Sequence, residues 1–302
     1  MISAIEAYLA VRRATGFKLS NDEYLLRSFA RFAATRGERY IRTATAIDWA
    51  KQTTSVAQRD RRLKTVCQFA RYLRLDDDQH ELPPTDYFSY HKTRRAPFIY
   101  SSAQIERLIE AALQLGPPGA LRPQTYATLI ALLVTTGLRI AEALALCFAD
   151  ITADGLLIHR TKFQKTRLVP LHDTAVAGLE HYLRRRRQVR SEDEHLFVDE
   201  AGRALPYWSV HRTFQRLLKM TDLGSAPGGH RPRLHDFRHV FAVRTLQACP
   251  PEHTSISQQM VALATYMGHT NIYSTYWYLE ATPELLRGIV AACETFLAGE
   301  LS

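Results

Sequence analysis

Six side chains between residues 139 and 278 have the types that phosphodiester chemistry requires. They are two arginines, a lysine, two histidines and a tyrosine: Arg139, Lys162, His235, Arg238, His269 and Tyr278. Guanidinium groups hold non-bridging phosphate oxygens, lysine and histidine move protons, and a tyrosine hydroxyl can attack as the nucleophile. Such a set could cleave a phosphodiester without a metal ion, so no cofactor and no metal site is predicted.

His235 and Arg238 have helical spacing. Three positions separate them in the segment HDFRH, so on a helix their side chains share a face. Pro232 suits the start of that helix, whose N-terminal dipole would favour an anion. His239 is adjacent and would point elsewhere, so we interpret it as structural. Taken alone, this pattern also describes an ordinary surface pair.

Two further cations lie at predicted turns. Arg139 follows Gly137-Leu138 at the start of a predicted helix, where free backbone N–H groups favour an anion. Lys162 lies near the tip of a predicted β-hairpin, from which its ammonium group could protonate a leaving oxygen. Lys165 in the same loop is a rival for that role. An ordinary surface arginine and a basic loop are the alternatives.

The nucleophile must be chosen among four neighbouring tyrosines: Tyr266, Tyr273, Tyr276 and Tyr278. Gly268 is predicted to cap a helix over Gln258–Met267, and His269 follows in the turn. Tyr276 and Tyr278 are two positions apart and face different sides of a helix, so at most one of them can address the pocket. Helical geometry alone leaves open which tyrosine reacts.

Apolar residues at helical spacing predict a small helical bundle in residues 1–90. The first helix ends near Gly16 and the second near Gly37, while the third and fourth span Thr43–Lys51 and Ser55–Leu75. Five side chains of the fourth helix are predicted to face inward: Leu63, Val66, Phe69, Ala70 and Leu73. Its arginines are predicted to stay outside: Arg59, Arg61, Arg62, Arg71 and Arg74.

The positive charge is concentrated in the first third of the chain. Residues 1–95 carry +7 of the net charge of +9, and arginine outnumbers lysine there. Because a guanidinium matches a phosphate better than a point charge does, this part is predicted to grip a polyanion. A solubilising charged surface is the alternative. We place a linker at residues 91–99, because the segment from Tyr90 to Pro97 is polar and basic and ends in a proline.

Residues 100–302 are predicted to form a second domain, of mixed α/β type, so the fold class is mainly α with a small β-sheet. The first predicted helix follows the capping pattern Ser101–Gln104 and runs to Leu115. Helices Tyr126–Thr136 and Ile140–Leu146 are predicted on either side of a left-handed Gly137. The remaining predicted elements are, in chain order, strands Leu156–His159, Arg167–Leu171 and His195–Val198, and helices Tyr207–Leu218 and Pro283–Leu297.

Composition is that of a globular protein, with 46% hydrophobic and 23% charged residues. The longest mostly apolar run, Tyr126–Leu138, is too short to span a bilayer, and no secretion signal is recognised at the N-terminus. The four cysteines lack the spacing of a zinc site or a disulfide framework. These features predict a cytoplasmic protein without a membrane partner.

The ordered set GLR, Lys162, HDFRH, Gly268-His269 and Tyr278 resembles the tyrosine recombinase (phage integrase) family. By this resemblance, the six residues named at the outset are the catalytic set, and the family spacing selects Tyr278 over Tyr276. The resemblance also implies a SAM-like core-binding domain in residues 1–90 and a catalytic domain of the tyrosine recombinase type, with a C-terminal tail helix, in residues 100–302.

The family resemblance implies a mechanism and partners. Tyr278 would attack the scissile phosphate and form a 3′-phosphotyrosyl bond, and Lys162 would protonate the 5′ oxygen. The partners would be a double-stranded DNA recombination site, further copies in a tetramer on two sites, and related recombinases of the same element. The expected setting is the nucleoid of a bacterial cytoplasm. The side chains predicted to contact DNA are basic: Arg59, Arg61, Arg62, Lys64, Arg94, Arg95, Lys165 and Arg167.

One feature favours the transposon-associated integrases within the family: the segment TYWYLEATPE is similar to integrases of mobile elements rather than to the Xer type. The stretch Ala248–Ser257 is a departure, since it makes the distance from Arg238 to His269 longer than in many members. Xer-like resolution of replicon multimers remains an alternative role. The rivals from other classes are a catalytically silent DNA-binding protein of the same fold and a basic RNA-binding protein.

Overall fold

The computed structural model describes residues 1–90, 96–159, 166–225, 231–248 and 256–268. The chain divides into two compact units, Met1–Arg95 and Ala96–Ser302. None of the helices in these described ranges is long and apolar enough to cross a membrane.

The first unit contains helices α1 (Ile2–Ala14), α2 (Ser20–Thr35), α3 (Thr43–Lys51) and α4 (Val56–Leu73). They enclose one apolar core, in which the rings of Phe29 and Trp49 meet edge to face at 5.5 Å. All five side chains predicted to face inward from the fourth helix are buried. Helical periodicity therefore predicted both the elements and the buried face of this unit.

Two arginines of α4 are less exposed to solvent than predicted. Arg59 and Arg62 are half-buried, whereas Arg61 and Lys64 are exposed. The Arg59 Nε donates to the Thr53 carbonyl at 2.7 Å, and the Arg62 guanidinium donates to the Trp49 carbonyl at 3.2 Å and lies over the Trp49 ring. These two guanidiniums therefore cap the end of α3 and the loop after it.

His80 ties the segment after α4 back to the bundle. Its Nδ1 accepts a hydrogen bond from the Ile41 N–H at 3.1 Å, which requires the neutral ring. Burial lowers the pKa of His80, so the unfolded chain takes up the proton first as the pH falls. The contribution of His80 is complete above its unfolded pKa of about 6.5 and is lost below it.

We expect His80→Asn to reduce the acid sensitivity of the full chain, because asparagine keeps an acceptor for Ile41 but does not titrate. Thermal unfolding between pH 7.5 and pH 5 measures this effect. The wild type should lose about 2 °C more than the variant over that range. Parallel melting curves against pH for the two proteins would contradict the role of His80.

The second unit packs its helices around a larger core that includes Leu133, Tyr182, Phe214 and Phe237. The helices are α5 (Ser102–Leu113), α6 (Arg122–Thr136), α7 (Ile140–Leu144), α8 (Asp173–Arg186), α9 (Tyr207–Met220), α10 (Asp236–Gln247) and α11 (Ile256–Tyr266). The predicted cap of α5 is present, since Ser101 and Gln104 exchange side-chain to backbone hydrogen bonds. The sequence interpretation omitted α8 and began α6 four residues late.

A small antiparallel sheet has the order β1 (Ile151–Thr152), β2 (Gly155–Ile158) and β3 (Arg167–Val169). Leu156 pairs with Val169 and Ile158 with Arg167, so β2 and β3 form the predicted hairpin. The predicted strand His195–Val198 is wrong, because this segment makes only two isolated bridges, from His195 to Cys147 and from Val198 to Ala204.

Candidate active site

The end of α6 is shaped by Gly137. Its φ of +61° is left-handed, as predicted, and a Cβ placed there would lie 2.4 Å from a ring carbon of Phe241. Glycine is therefore required twice, by the backbone conformation and by the close approach of α10. The turn leaves the Gly137 carbonyl facing α10 and delivers Arg139 to the start of α7.

Arg238 is buried in the middle of the site, with 2% of its surface exposed. It donates from Nη1 to the Gly137 carbonyl at 2.6 Å and from Nη2 to the Met267 carbonyl at 2.5 Å. One guanidinium thus joins the C-terminal ends of α6 and α11 to α10. The partial negative charge of carbonyls at helix ends compensates for part of the cost of burying this cation.

Arg139 reaches the same end of α11. Its Nη2 donates to the Gly268 carbonyl at 3.2 Å, and its Nη1 donates to Glu142 at 2.7 Å. The side chain is 32% exposed, so this arginine remains open on one side. Arg139 and Arg238 are remote in sequence, yet they bind consecutive carbonyls, those of Gly268 and Met267.

Glu142 holds two arginines at once. Its carboxylate, whose side chain is 8% exposed, accepts from Arg139 and also from both terminal nitrogens of Arg167, at 3.1 and 2.8 Å. It further accepts from the Arg139 backbone N–H at 2.9 Å. Burial alone would raise the pKa of Glu142, but hydrogen bonds from Arg167 and Arg139 outweigh it and lower the pKa to about 2.

The position of Glu142 changes two expectations about anions. The predicted anion site at the start of α7 is occupied by the carboxylate of Glu142 itself. Arg167, predicted as a DNA contact, is 13% exposed and its terminal nitrogens bind Glu142. The structure therefore gives Arg167 an internal role, in place of a free phosphate contact.

His235 lies at the turn before α10 and keeps an exposed edge. Desolvation by the surrounding protein lowers the pKa of this imidazole, and Arg238 lowers it further. The ring of His239, predicted to point elsewhere, instead meets the His235 ring edge to face at 5.0 Å. His239 is buried, its predicted direction was wrong, and its structural role stays a prediction.

Of the six predicted catalytic residues, Arg139 and Arg238 thus meet at the end of α11, and His235 lies close enough to both that their charges lower its pKa. Lys162, His269 and Tyr278 lie outside the described residues, as do three of the predicted DNA contacts, Arg94, Arg95 and Lys165. The last described residue is Gly268, which follows the end of α11 and directly precedes His269.

Sequence reasoning missed Glu142. A signal was present, because Glu142 stands three residues after Arg139, at the spacing of a helix capping box. Its pairing with Arg167 had no local signal, since it depends on the approach of β3 to α7.

Comparison with known proteins identifies the class of this fold and site. Residues 100–284 match the phage integrase family. The chain is 39% identical over 295 residues to the Sinorhizobium fredii protein named integrase/recombinase y4rB, with 94% of each chain covered. It is also 28% identical over 232 residues to the tyrosine recombinase XerC of Chlamydia trachomatis, covering 76% of this chain and 68% of that protein.

The chain therefore belongs to the phage integrase family, the tyrosine recombinases, which are enzymes that cleave and rejoin DNA. Among solved structures, the XerH recombinase bound to its difH substrate is similar with a TM-score of 0.67 at 18% identity, covering 97% of this chain and 85% of that one. A λ integrase tetramer on a Holliday junction has a TM-score of 0.58 at 17% identity, with 89% and 77% covered. The predicted fold class is confirmed.

Proposed function

We propose that this chain recombines double-stranded DNA through a covalent 3′-phosphotyrosyl intermediate at Tyr278. The observation that carries this proposal is that Arg139 and Arg238 both bind the end of α11, directly before His269, and that His235 lies close enough for both charges to lower its pKa. The guanidiniums of Arg139 and Arg238, which are remote in sequence, lie close together in the fold, as stabilisation of a phosphoryl transition state requires.

The roles follow from the chemistry of each group. The Tyr278 oxygen attacks the scissile phosphorus while the bond to the 5′ oxygen breaks, so the phosphoester energy is kept in the protein–DNA bond. Arg139, Arg238 and His269 stabilise the negative charge that develops on the phosphoryl oxygens. His235 assists removal of the tyrosine proton, and Lys162 gives a proton to the departing 5′ oxygen.

We assign DNA gripping to residues 1–90, a linker to residues 91–99, and the chemistry, with a C-terminal tail helix, to residues 100–302. The exposed Arg61 of α4 is the best placed of the described candidates to contact a phosphate, because the exposed Lys64 pairs with Asp60 at 2.8 Å. Strand exchange needs four active subunits on two sites, and a tetramer on a Holliday junction is the state of the similar λ integrase structure. Binding should weaken steeply with salt.

For the biological role, we propose integration, excision or transposition of a mobile element. The similarity to the Sinorhizobium fredii integrase/recombinase over 94% of each chain supports this role. The second candidate, resolution of replicon multimers, rests on the more distant similarity to XerC. Genes of a transposon beside this one would favour the former, and activity on a chromosomal dimer-resolution site would favour the latter.

Formation of a covalent adduct tests the proposed chemistry. The full chain is incubated with overlapping nicked duplexes that together cover the DNA flanking its gene. Because the fragment with the freed 5′ end can leave at the nick, cleavage is not reversed and the covalent intermediate is trapped. We expect a protein–DNA band that survives detergent, persists with EDTA and disappears in Tyr278→Phe. Tyr276→Phe is the matched control and should still form the band.

Two results would contradict the proposal. An adduct that survives Tyr278→Phe would place the nucleophile elsewhere. If the wild-type chain binds one of these duplexes sequence-specifically but forms no adduct on it, the result would instead support a catalytically silent DNA-binding protein of the same fold.

A further inference from the structure

The turn that enters α10 is closed on itself by Arg233 and Asp236. The Arg233 N–H donates to the Asp236 carboxylate at 2.8 Å, and the Asp236 N–H donates back to the Arg233 carbonyl at 3.0 Å. The Arg233 guanidinium adds a second bond to the carboxylate at 2.9 Å. His235 lies inside this closed turn and makes no capping bond of its own.

Asp236 begins α10 and is fully buried, with 0% of its surface exposed. Burying a carboxylate is costly unless it is paired and hydrogen-bonded. The proposed cleavage chemistry assigns Asp236 no direct role, and a helix start needs only a partly exposed cap. Its contacts with Arg233 account for how the carboxylate is tolerated, but not for why it is buried beside His235.

Tyr100 fixes the same turn from the other side. Its hydroxyl donates to the Arg233 carbonyl at 3.2 Å, and its ring stacks on Phe237 with centroids 4.6 Å apart. Burial, followed by the charge of Asp236, raises the pKa of Tyr100, so the hydroxyl keeps the proton that it donates. Arg233 is thus bonded through its N–H, its carbonyl and its guanidinium.

We propose that Asp236 is a positioning residue for His235, and that it acts through Arg233 and Tyr100 by fixing the turn that carries the imidazole. This inference rests on the proposed function, in which His235 assists removal of the Tyr278 proton. A residue that only stabilised α10 would leave cleavage per folded molecule unchanged.

The charges around His235 make this difference measurable. Desolvation and Arg238 lower the pKa of His235, whereas Asp236 raises it. Within the described residues, the other charged or titratable groups that act on the ring are two cations that lower its pKa and a second imidazole in edge contact: Arg233, Arg139 and His239. Removing the carboxylate charge therefore lowers the pKa of His235 further.

The test is Asp236→Asn in the full chain, with two measurements. NMR titration of the imidazole resonances, assigned with His235→Gln, gives the pKa of His235 in the DNA-free protein. We expect this pKa to fall, because the carboxylate that raises it is gone. Cleavage of the nicked duplex should fall about tenfold at pH 7, and the His235-dependent limb of its pH profile should move to lower pH.

Three further variants isolate the effect. Asp236→Glu keeps the charge and should return the titration towards that of the wild type, although the longer side chain leaves cleavage impaired. Tyr100→Phe removes one hydroxyl, keeps the stacked ring, and should slow cleavage severalfold. Tyr126→Phe removes a hydroxyl that lies 3.4 Å from the Ser209 hydroxyl elsewhere in the same unit, and it should leave cleavage unchanged.

A folded Asp236→Asn protein that cleaves as fast per folded molecule as the wild type would overturn the proposal. If that variant does not fold, Tyr100→Phe decides, and cleavage equal to that of Tyr126→Phe would overturn it. The NMR measurement needs no DNA, and Tyr100→Phe removes no charge. A shifted His235 titration in Tyr100→Phe, in a protein that forms no adduct, would therefore support the positioning role while the proposed function fails.

Discussion

Glu142→Gln is expected to lower the free energy of unfolding by about 3 kcal/mol at pH 7 and to slow DNA cleavage at least 100-fold. Glutamine keeps the shape of the side chain but removes the charge that Arg139 and Arg167 share. Two cations then face each other with weaker acceptors between them. Urea unfolding and single-turnover cleavage of the nicked duplex measure the two effects.

The effect of Glu142 should depend on pH in a defined direction. Its pKa falls from an ordinary 4.5 to about 2 in the folded chain, so the unfolded chain binds the proton first as the pH falls. The stabilisation is complete above about pH 4.5 and is lost towards pH 2. The difference between wild type and Glu142→Gln should therefore narrow between pH 5 and pH 3.

Glu106→Gln is the matched control, since Glu106 is exposed on α5 and loses the same charge. It should change the free energy of unfolding by less than about 0.5 kcal/mol. Equal unfolding curves for Glu142→Gln and Glu106→Gln at pH 7 would show that the carboxylate does not hold the two arginines.

Arg238→Lys is expected to reduce cleavage at least about 1000-fold without a comparable loss of folded protein. A lysine ammonium cannot reproduce the planar fork that donates to the Gly137 and Met267 carbonyls from two nitrogens. The end of α11 would lose a fixed partner, and the phosphate would lose a positioned donor. Single-turnover rates per folded molecule, with folding checked by circular dichroism, give the result.

Arg244→Lys controls for the substitution on the same helix. Arg244 donates a surface hydrogen bond to Ser102 at 3.1 Å, away from the site. Its variant should cleave DNA at a rate close to that of the wild type. Cleavage by Arg238→Lys within tenfold of the wild type would remove Arg238 from the transition-state contacts.

Much of the fold followed from local patterns. The capping pattern at Ser101, the left-handed Gly137 and the register of α4 each depend on neighbouring residues, and all three were predicted. The helical spacing of His235 and Arg238 placed both at the start of α10. Where one turn of chain sets the geometry, the sequence was sufficient.

The remainder of the site depends on contacts between distant segments. Arg167 follows a hairpin loop full of cations, so composition suggested a phosphate contact, and only the packing of β3 against α7 shows its partner to be Glu142. The half-buried Arg59 and Arg62 were misplaced for a similar reason, because their carbonyl acceptors belong to the preceding helix and loop. Such pairings leave no periodic pattern in the chain.

The two arginine bonds to the end of α11 also bear on how this protein tolerates change in length. Arg238 and Arg139 fix the Met267 and Gly268 carbonyls directly, independently of the path that the chain takes from Ala248 to Ile256. Residues inserted in that connection need not displace the end of the helix. The connection before α11 can therefore lengthen while the Met267 and Gly268 carbonyls keep their arginine partners.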